Sequence, residues 1–233
     1  MQYIWLIWSL LLIAIWLVMY VSLGSKSKKR EMFQMSVWTS LLGLTEPLFV
    51  PEYWTPPSLF NLTLRIGFDI ESIIFSFGVG GIAAILYEFI FRSRHVSMSA
   101  KEHLSSRHKF HIWVILSTPI IFSILLIVTN LNPIYAAIIA MIIGGLAAWY
   151  CRPDLKLKMI MSAFLFLALY FIYFLTLIVV SPGYVERVWN LEALSGVLIL
   201  GIPLEELLFA WGFGFIWSST YEHLTWKRIK LMK

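Results

Sequence analysis

Hydrophobic residues in this chain do not alternate with polar ones. They run in long blocks separated by short polar stretches. Seven blocks stand out: Tyr3–Ser22, Met32–Val50, Ile66–Phe91, His111–Thr129, Pro133–Tyr150, Met159–Ser181 and Ser195–Ser219. Each approaches or exceeds the roughly 20 mostly apolar residues that a helix needs to cross a bilayer. The first, fourth and fifth contain no Asp, Glu, Lys or Arg. Backbone left unpaired in lipid is too costly, so the blocks are predicted to be helices. The short alternating strands of a membrane β-barrel are missing. Breakers such as Pro51, Pro56, Pro57, Asn132, Pro133, Pro182 and Gly183 punctuate the connections. With no low-complexity segment or linker, residues 1–233 read as a single membrane domain. The expected fold is all-α and integral to the membrane: a seven-helix bundle.

Composition sharpens this. Of the 233 residues, 60% are hydrophobic and only 13% charged. A soluble domain is usually about half apolar and a quarter charged, so one water-soluble core could not hold this excess. Cys151 is the single cysteine, which excludes an internal disulfide. The formal net charge of +5 raises the question of nucleic acid, and the placement of the basic residues answers it. Every Lys and Arg except Arg65 and Arg187 lies in Lys26–Arg30, Arg92–Lys109, Arg152–Lys158 or the tail Lys227–Lys233. These segments follow the first, third, fifth and seventh blocks, so they share one side. Positive loops stay in the cytoplasm, which puts the N-terminus outside and the C-terminus inside. The basic residues are then topogenic and face anionic lipid head groups; no nucleic-acid partner is expected. The first block is too long for a cleavable signal and carries its positive charge on the C-terminal flank.

The chain also repeats itself. Asp69-Ile70-Glu71-Ser72-Ile73-Ile74-Phe75-Ser76-Phe77-Gly78-Val79-Gly80 aligns without a gap on Pro203-Leu204-Glu205-Glu206-Leu207-Leu208-Phe209-Ala210-Trp211-Gly212-Phe213-Gly214, at an offset of 134 residues. Tyr87-Glu88 meets Tyr221-Glu222 in the same register, and Pro51-Glu52-Tyr53 sits opposite Pro182-Gly183-Tyr184 with a small gap. The predicted repeats are residues 1–91 and 133–223, joined by helix 111–129. An offset of four spans keeps both copies pointing the same way. This is a parallel 3+1+3 arrangement about an axis along the membrane normal.

Six acidic residues fall inside the predicted spans, and five of them lie away from the cytoplasmic ends: Glu46, Asp69, Glu71, Glu205 and Glu206. A charged group at the centre of a membrane helix costs about 2.5–3.5 kcal/mol on insertion scales, so such residues normally face the bundle interior and mark function. Glu71, Ile74, Phe75 and Gly78 share one helical face; Glu205, Leu208, Phe209 and Gly212 share the corresponding one. Pro203 is expected to free a backbone carbonyl just upstream. A neutral carboxylic acid in an apolar cleft is a competent proton donor, and Glu71, Glu205 and Glu206 are the candidates for catalysis. Rings such as Phe75, Phe77, Phe209 and Trp211 could face a cation. Glu88 and Glu222, at the cytoplasmic ends, are expected to pair with nearby Lys or Arg. His95, His103, His108 and His111 show no convincing ligand spacing, so no metal is expected. Asn61-Leu62-Thr63 fits a glycosylation pattern that is common by chance.

With these residues in hand, the chain resembles the membrane-embedded lycopene cyclase family, which includes heterodimeric bacterial, fused archaeal and fungal bifunctional members. Pro203-Leu204-Glu205-Glu206 is similar to the family's Pro-x-Glu-Glu/Asp signature. Glu46-Pro47-Leu48, Phe68-Asp69-Ile70-Glu71 and the duplicated three-helix layout add to the likeness. The first copy departs from the signature: it reads Asp-Ile-Glu-Ser, without the proline or the second acid. The resemblance implies acid-initiated, non-redox ring closure of a linear carotenoid end group in carotenoid biosynthesis, an intramolecular lyase or isomerase reaction needing no cofactor. It implies Glu205 or Glu206 as acid and the other glutamate or Glu71 as base. Asp69, Glu46, Phe75, Phe77, Phe209, Trp211 and Pro203 would line the substrate. The expected partners are a lipid-dissolved linear carotenoid and membrane lipids, with homo- and hetero-oligomers both open. The expected location is the cell membrane of a prokaryote. The alternatives are a non-catalytic carotenoid-binding or accessory subunit and a small-solute transporter with parallel repeats. A retinal protein would need an intramembrane lysine, and the seventh block has none.

Overall fold

A computed structural model describes residues 3–59 and 62–231; Asn61 of the glycosylation pattern lies outside them. The long helices are α1 (Ile4–Ser22), α2 (Lys26–Ser40), α3 (Ile70–Phe91), α4 (His111–Val128), α5 (Pro133–Cys151), α6 (Lys156–Val180) and α7 (Leu204–Thr225). Five helical stretches are long and apolar enough to cross a membrane: Ile4–Ser22, Ile70–Phe91, Ser106–Val128, Pro133–Cys151 and Pro153–Val180. Their outward residues, such as Val21, Ile127 and Val179, are exposed aliphatics. That is a surface suited to lipid rather than water.

Two predicted blocks change shape. The second starts earlier, because Lys26–Arg30 are good helix formers whose charged ends can reach solvent from the helix flank. It then tightens to a 3₁₀ helix over Leu41–Leu48, where Gly43 and Pro47 interrupt regular α-helix. The seventh block begins as strands β2 (Leu198–Ile199) and β3 (Ile202–Pro203), not as helix. Leu200 and Gly201, both with positive φ, form the two-residue turn between them. Only then does α7 start, at Leu204. Pro203 therefore closes a hairpin and removes no helical hydrogen bond, contrary to its expected role. Glu71 and Glu205–Glu206 fall in the first turns of α3 and α7, where the helix dipole favours negative charge.

By internal contacts the chain divides into two units: Met1–Ile82, Asn132–Ile134 and Ala168–Leu207 form one, and Ala83–Leu131, Tyr135–Leu167 and Leu208–Lys233 the other. In the first, Trp8 of α1 stacks on Tyr173 of α6 with ring centroids 4.3 Å apart. The Tyr173 hydroxyl donates to the Trp8 carbonyl at 2.6 Å. Close helix approach depends on glycine. A Cβ at Gly78 would lie 2.9 Å from Leu12 of α1, and one at Gly80 would collide with Thr39 of α2.

In the second unit, Ala148, Leu155, Met159, Ala163 and Phe215 make the apolar core. Gly212 faces Met141 of α5, and a Cβ on Gly214 would lie 2.8 Å from the Ser162 carbonyl oxygen of α6. Helices α3 and α7 end alike: Arg92 and Trp226 both take left-handed conformations. The strands that follow, β1 (Ser93–Ser97) and β4 (Lys227–Leu231), pair antiparallel with His95 opposite Ile229 at the centre. Beneath this ladder Lys158 is buried, with its Nζ 2.5 Å from Glu88 Oε1 and 2.6 Å from Glu222 Oε1. His95 Nε2 lies 2.8 Å from the same Glu222 oxygen. The expected pairing of Glu88 and Glu222 with a cation is present, and one lysine serves both.

Candidate functional site

The first unit gathers all five acidic residues singled out in the sequence, each buried. Most of them are tied to backbone. Glu46 accepts the Asp69 N–H at 2.6 Å, and Asp69 in turn accepts the Thr63 N–H at 2.8 Å. Glu71 accepts the Leu59 N–H at 2.6 Å. Glu205 accepts the Ser195 N–H at 2.8 Å. Glu71 and Glu205, aligned in the repeat, thus do the same thing: each holds the incoming loop ten to twelve residues upstream onto the first turn of its helix. Pro203, which aligns with Asp69, has no N–H, so it needs no counterpart of Glu46.

Glu206 differs from all of them. Its Oε1 accepts the Trp189 indole N–H at 2.8 Å and a short hydrogen bond from the Tyr53 hydroxyl. Its Oε2 accepts the Tyr170 hydroxyl at 2.6 Å. Neighbouring residues on a helix point about 100° apart, which is why Glu205 reaches a loop backbone while Glu206 reaches side chains. The three donors come from three places. Tyr170 projects from α6. Tyr53 and Trp189 come from separate loops that are stitched together: Thr55 N–H donates to the Val188 carbonyl at 2.7 Å and Asn190 N–H to the Tyr53 carbonyl at 2.9 Å. Trp54 and Trp189 form a bridge and a ring contact at 5.6 Å. Burial and the adjacent Glu206 carboxylate push the Tyr53 hydroxyl well above the usual range, so it remains a donor.

All three named partners of Glu206 are neutral. They hydrogen-bond the carboxyl without bringing a charge of their own. Rings surround the group: Phe174 lies 5.4 Å from Trp189 and 6.0 Å from Tyr170, and Phe75 lies 6.5 Å from Tyr170. Aromatic faces stabilise positive charge.

Of the four rings proposed from sequence, Phe75 joins this cluster. Phe77 packs on Trp16 and Phe33, Phe209 stacks on Phe213, and Trp211 stacks on Phe215. Sequence reasoning passed over Tyr53, Tyr170 and Trp189. A signal existed for Tyr170, since a tyrosine deep in an apolar span needs a partner for its hydroxyl. Tyr53 stood in a repeated Pro-x-Tyr element. Trp189 carried no signal beyond its type.

The described residues thus place a buried carboxyl, ringed by neutral donors and aromatics, in a mostly helical protein with five stretches long and apolar enough to cross a membrane. The lycopene cyclase family model matches residues 132–224, from α5 to the end of α7. Over this part the chain is similar to the lycopene cyclase family. The matched part contains Tyr170, Trp189, Glu205 and Glu206 and excludes Tyr53, Glu71, Asp69 and Glu46. No curated protein and no solved structure matches the chain.

Proposed function

We propose that the protein is a carotenoid cyclase and that Glu206 supplies the proton. The observation that carries this is the Glu206 carboxyl, held by Tyr53, Tyr170 and Trp189 among aromatic rings, with Glu206, Tyr170 and Trp189 in the segment that the cyclase family model matches. In this reading protonated Glu206 adds its proton to the terminal double bond of a linear polyene. The electron pair of that bond forms the new C–H bond and leaves a carbocation at the neighbouring carbon. The next double bond attacks that carbon and closes a six-membered ring, which moves the charge into the ring. A ring proton returns to the Glu206 carboxylate, a new double bond forms, and the acid is regenerated. Nothing is oxidised or reduced, so the product is an isomer. Glu205 and Glu71 act as anchors that position the loops before α7 and α3. Expression in a lycopene-accumulating host, followed by pigment analysis, tests the proposal: cyclic carotenoid is expected. If no linear carotenoid offered yields a ring, the chain is an accessory or carotenoid-binding relative.

We also propose the parallel duplication and a seven-span topology with the N-terminus outside. Several equivalences at the 134-residue offset support the duplication, and the one-sided placement of Lys and Arg supports the topology. Gly78 and Gly80 meet α1 and α2 as Gly212 and Gly214 meet α5 and α6. Glu88 and Glu222 share Lys158. His95 and Ile229, 134 residues apart, face each other at the centre of the β1–β4 ladder. Reporter fusions at the two termini are expected to report from opposite compartments; the same compartment for both would sink the odd-span topology.

A further inference from the structure

A second cluster of reactive side chains lies in the other unit, outside the proposed cyclase machinery. His108 and His111, at the entrance to α4, both turn a ring nitrogen toward Cys151 at the end of α5. The Nδ1–Sγ separations are 3.4 Å for His108 and 3.3 Å for His111. The three potential ligand atoms all lie within 4.8 Å of one another. We infer that His108, His111 and Cys151 form a binding site for a zinc-class transition-metal ion.

The first argument is geometric. Zinc binds thiolate at about 2.3 Å and imidazole at about 2.0–2.1 Å, so a tetrahedral site separates sulfur from nitrogen by about 3.6 Å. The separations here fall short of that by only a few tenths of an ångström, and side-chain torsions can absorb the difference.

The second argument is the state of His111. Its Nε2 lies 3.0 Å from the His223 carbonyl oxygen. A carbonyl can only accept, so Nε2 carries the hydrogen and the neutral ring presents the lone pair of Nδ1 to the sulfur. Ligating histidines characteristically donate their other ring N–H in this way, which fixes tautomer and ring orientation.

The surroundings suit the ligand set. Trp226 stacks on His111 at 4.1 Å and meets His108 edge-on at 5.2 Å, limiting how either ring can turn. Cys151 and His111 are buried. The adjacent Arg152 guanidinium is occupied by both Asp154 oxygens at 2.8 Å each and by the Lys227 carbonyl at 2.6 Å. Its charge is thereby partly neutralised beside the site. A thiolate and two neutral imidazoles are the sulfur and nitrogen ligands that zinc takes, and three of them leave a fourth position for water. The ion would clip the start of α4 to the end of α5.

Cys151 is the single cysteine of the chain, which makes the test specific. Co²⁺ would be titrated into detergent-solubilised full-length protein purified through a tag free of histidine and cysteine. A thiolate-to-cobalt charge-transfer band should appear, saturating at one Co²⁺ per chain, and Zn²⁺ should displace it. Cys151→Ser should abolish the band. His108→Ala, at a half-buried position that tolerates truncation better, should weaken Co²⁺ binding by at least about tenfold. Absence of the band in the parent protein, its persistence in Cys151→Ser, or unchanged affinity in His108→Ala would each overturn the assignment.

Discussion

Glu206→Gln is expected to lose ring-closing activity by about 10²–10⁴-fold, the usual contribution of a positioned acid or base. Glutamine keeps the size of the side chain and one oxygen for the Tyr and Trp donors, but it has no proton to give. The variant should still insert in the membrane, because its helix turn, burial and shape are unchanged. Glu205→Gln and Glu71→Gln should behave differently. Each retains a carbonyl oxygen for the Ser195 or Leu59 N–H, so most of the rate should survive. Tyr170→Phe, which removes one donor and leaves the ring, should fall between. Turnover of lycopene in isolated membranes, compared at equal protein, separates these cases. If Glu206→Gln keeps the parent rate while Glu205→Gln loses it, the proton comes through Glu205 and the assignment made here is reversed.

Lys158→Met is expected to be among the most destabilising substitutions outside that site. Lys158 is 2% exposed and holds two carboxylates that are themselves inaccessible. Removing the ammonium leaves both without that partner, and breaking a buried pair from one side costs about 3–5 kcal/mol. Neutralising the two acids as well should restore most of the loss, because the penalty comes from stranded charge rather than from a missing attraction. Thermal unfolding of the detergent-solubilised protein would show a large drop for Lys158→Met and a recovery for Lys158→Met combined with Glu88→Gln and Glu222→Gln. A single variant as stable as the parent would mean that water reaches this cluster freely and that the ion pairs contribute little.

The difference between the two carboxylates of the Pro-Leu-Glu-Glu motif shows how far sequence reasoning reached. That their roles should diverge followed from helix geometry alone. Which of them meets the aromatic donors depended on where α7 begins, and the apolar run Ser195–Pro203 gave no warning that it would fold as a hairpin. Apolar residues satisfy either geometry; the positive φ values at Leu200 and Gly201 decided it.

By itself, the sequence determined a mostly helical chain with several stretches long and apolar enough to cross a membrane, and two segments that align at an offset of 134 residues. These depend on local composition and on side chains of fixed type recurring at fixed distance. The pairing of Glu88 and Glu222 with a cation was also legible, since a buried carboxylate near a basic loop has few other options. The tertiary structure alone decided that Lys158 would serve both acids. It also decided that Tyr53, Tyr170 and Trp189 would converge on one oxygen pair from positions up to 136 residues apart in the chain, and that His108, His111 and Cys151 would meet. Such contacts join helices and loops distant in sequence. They are fixed by how apolar faces and small residues allow those elements to approach, and no local pattern records that.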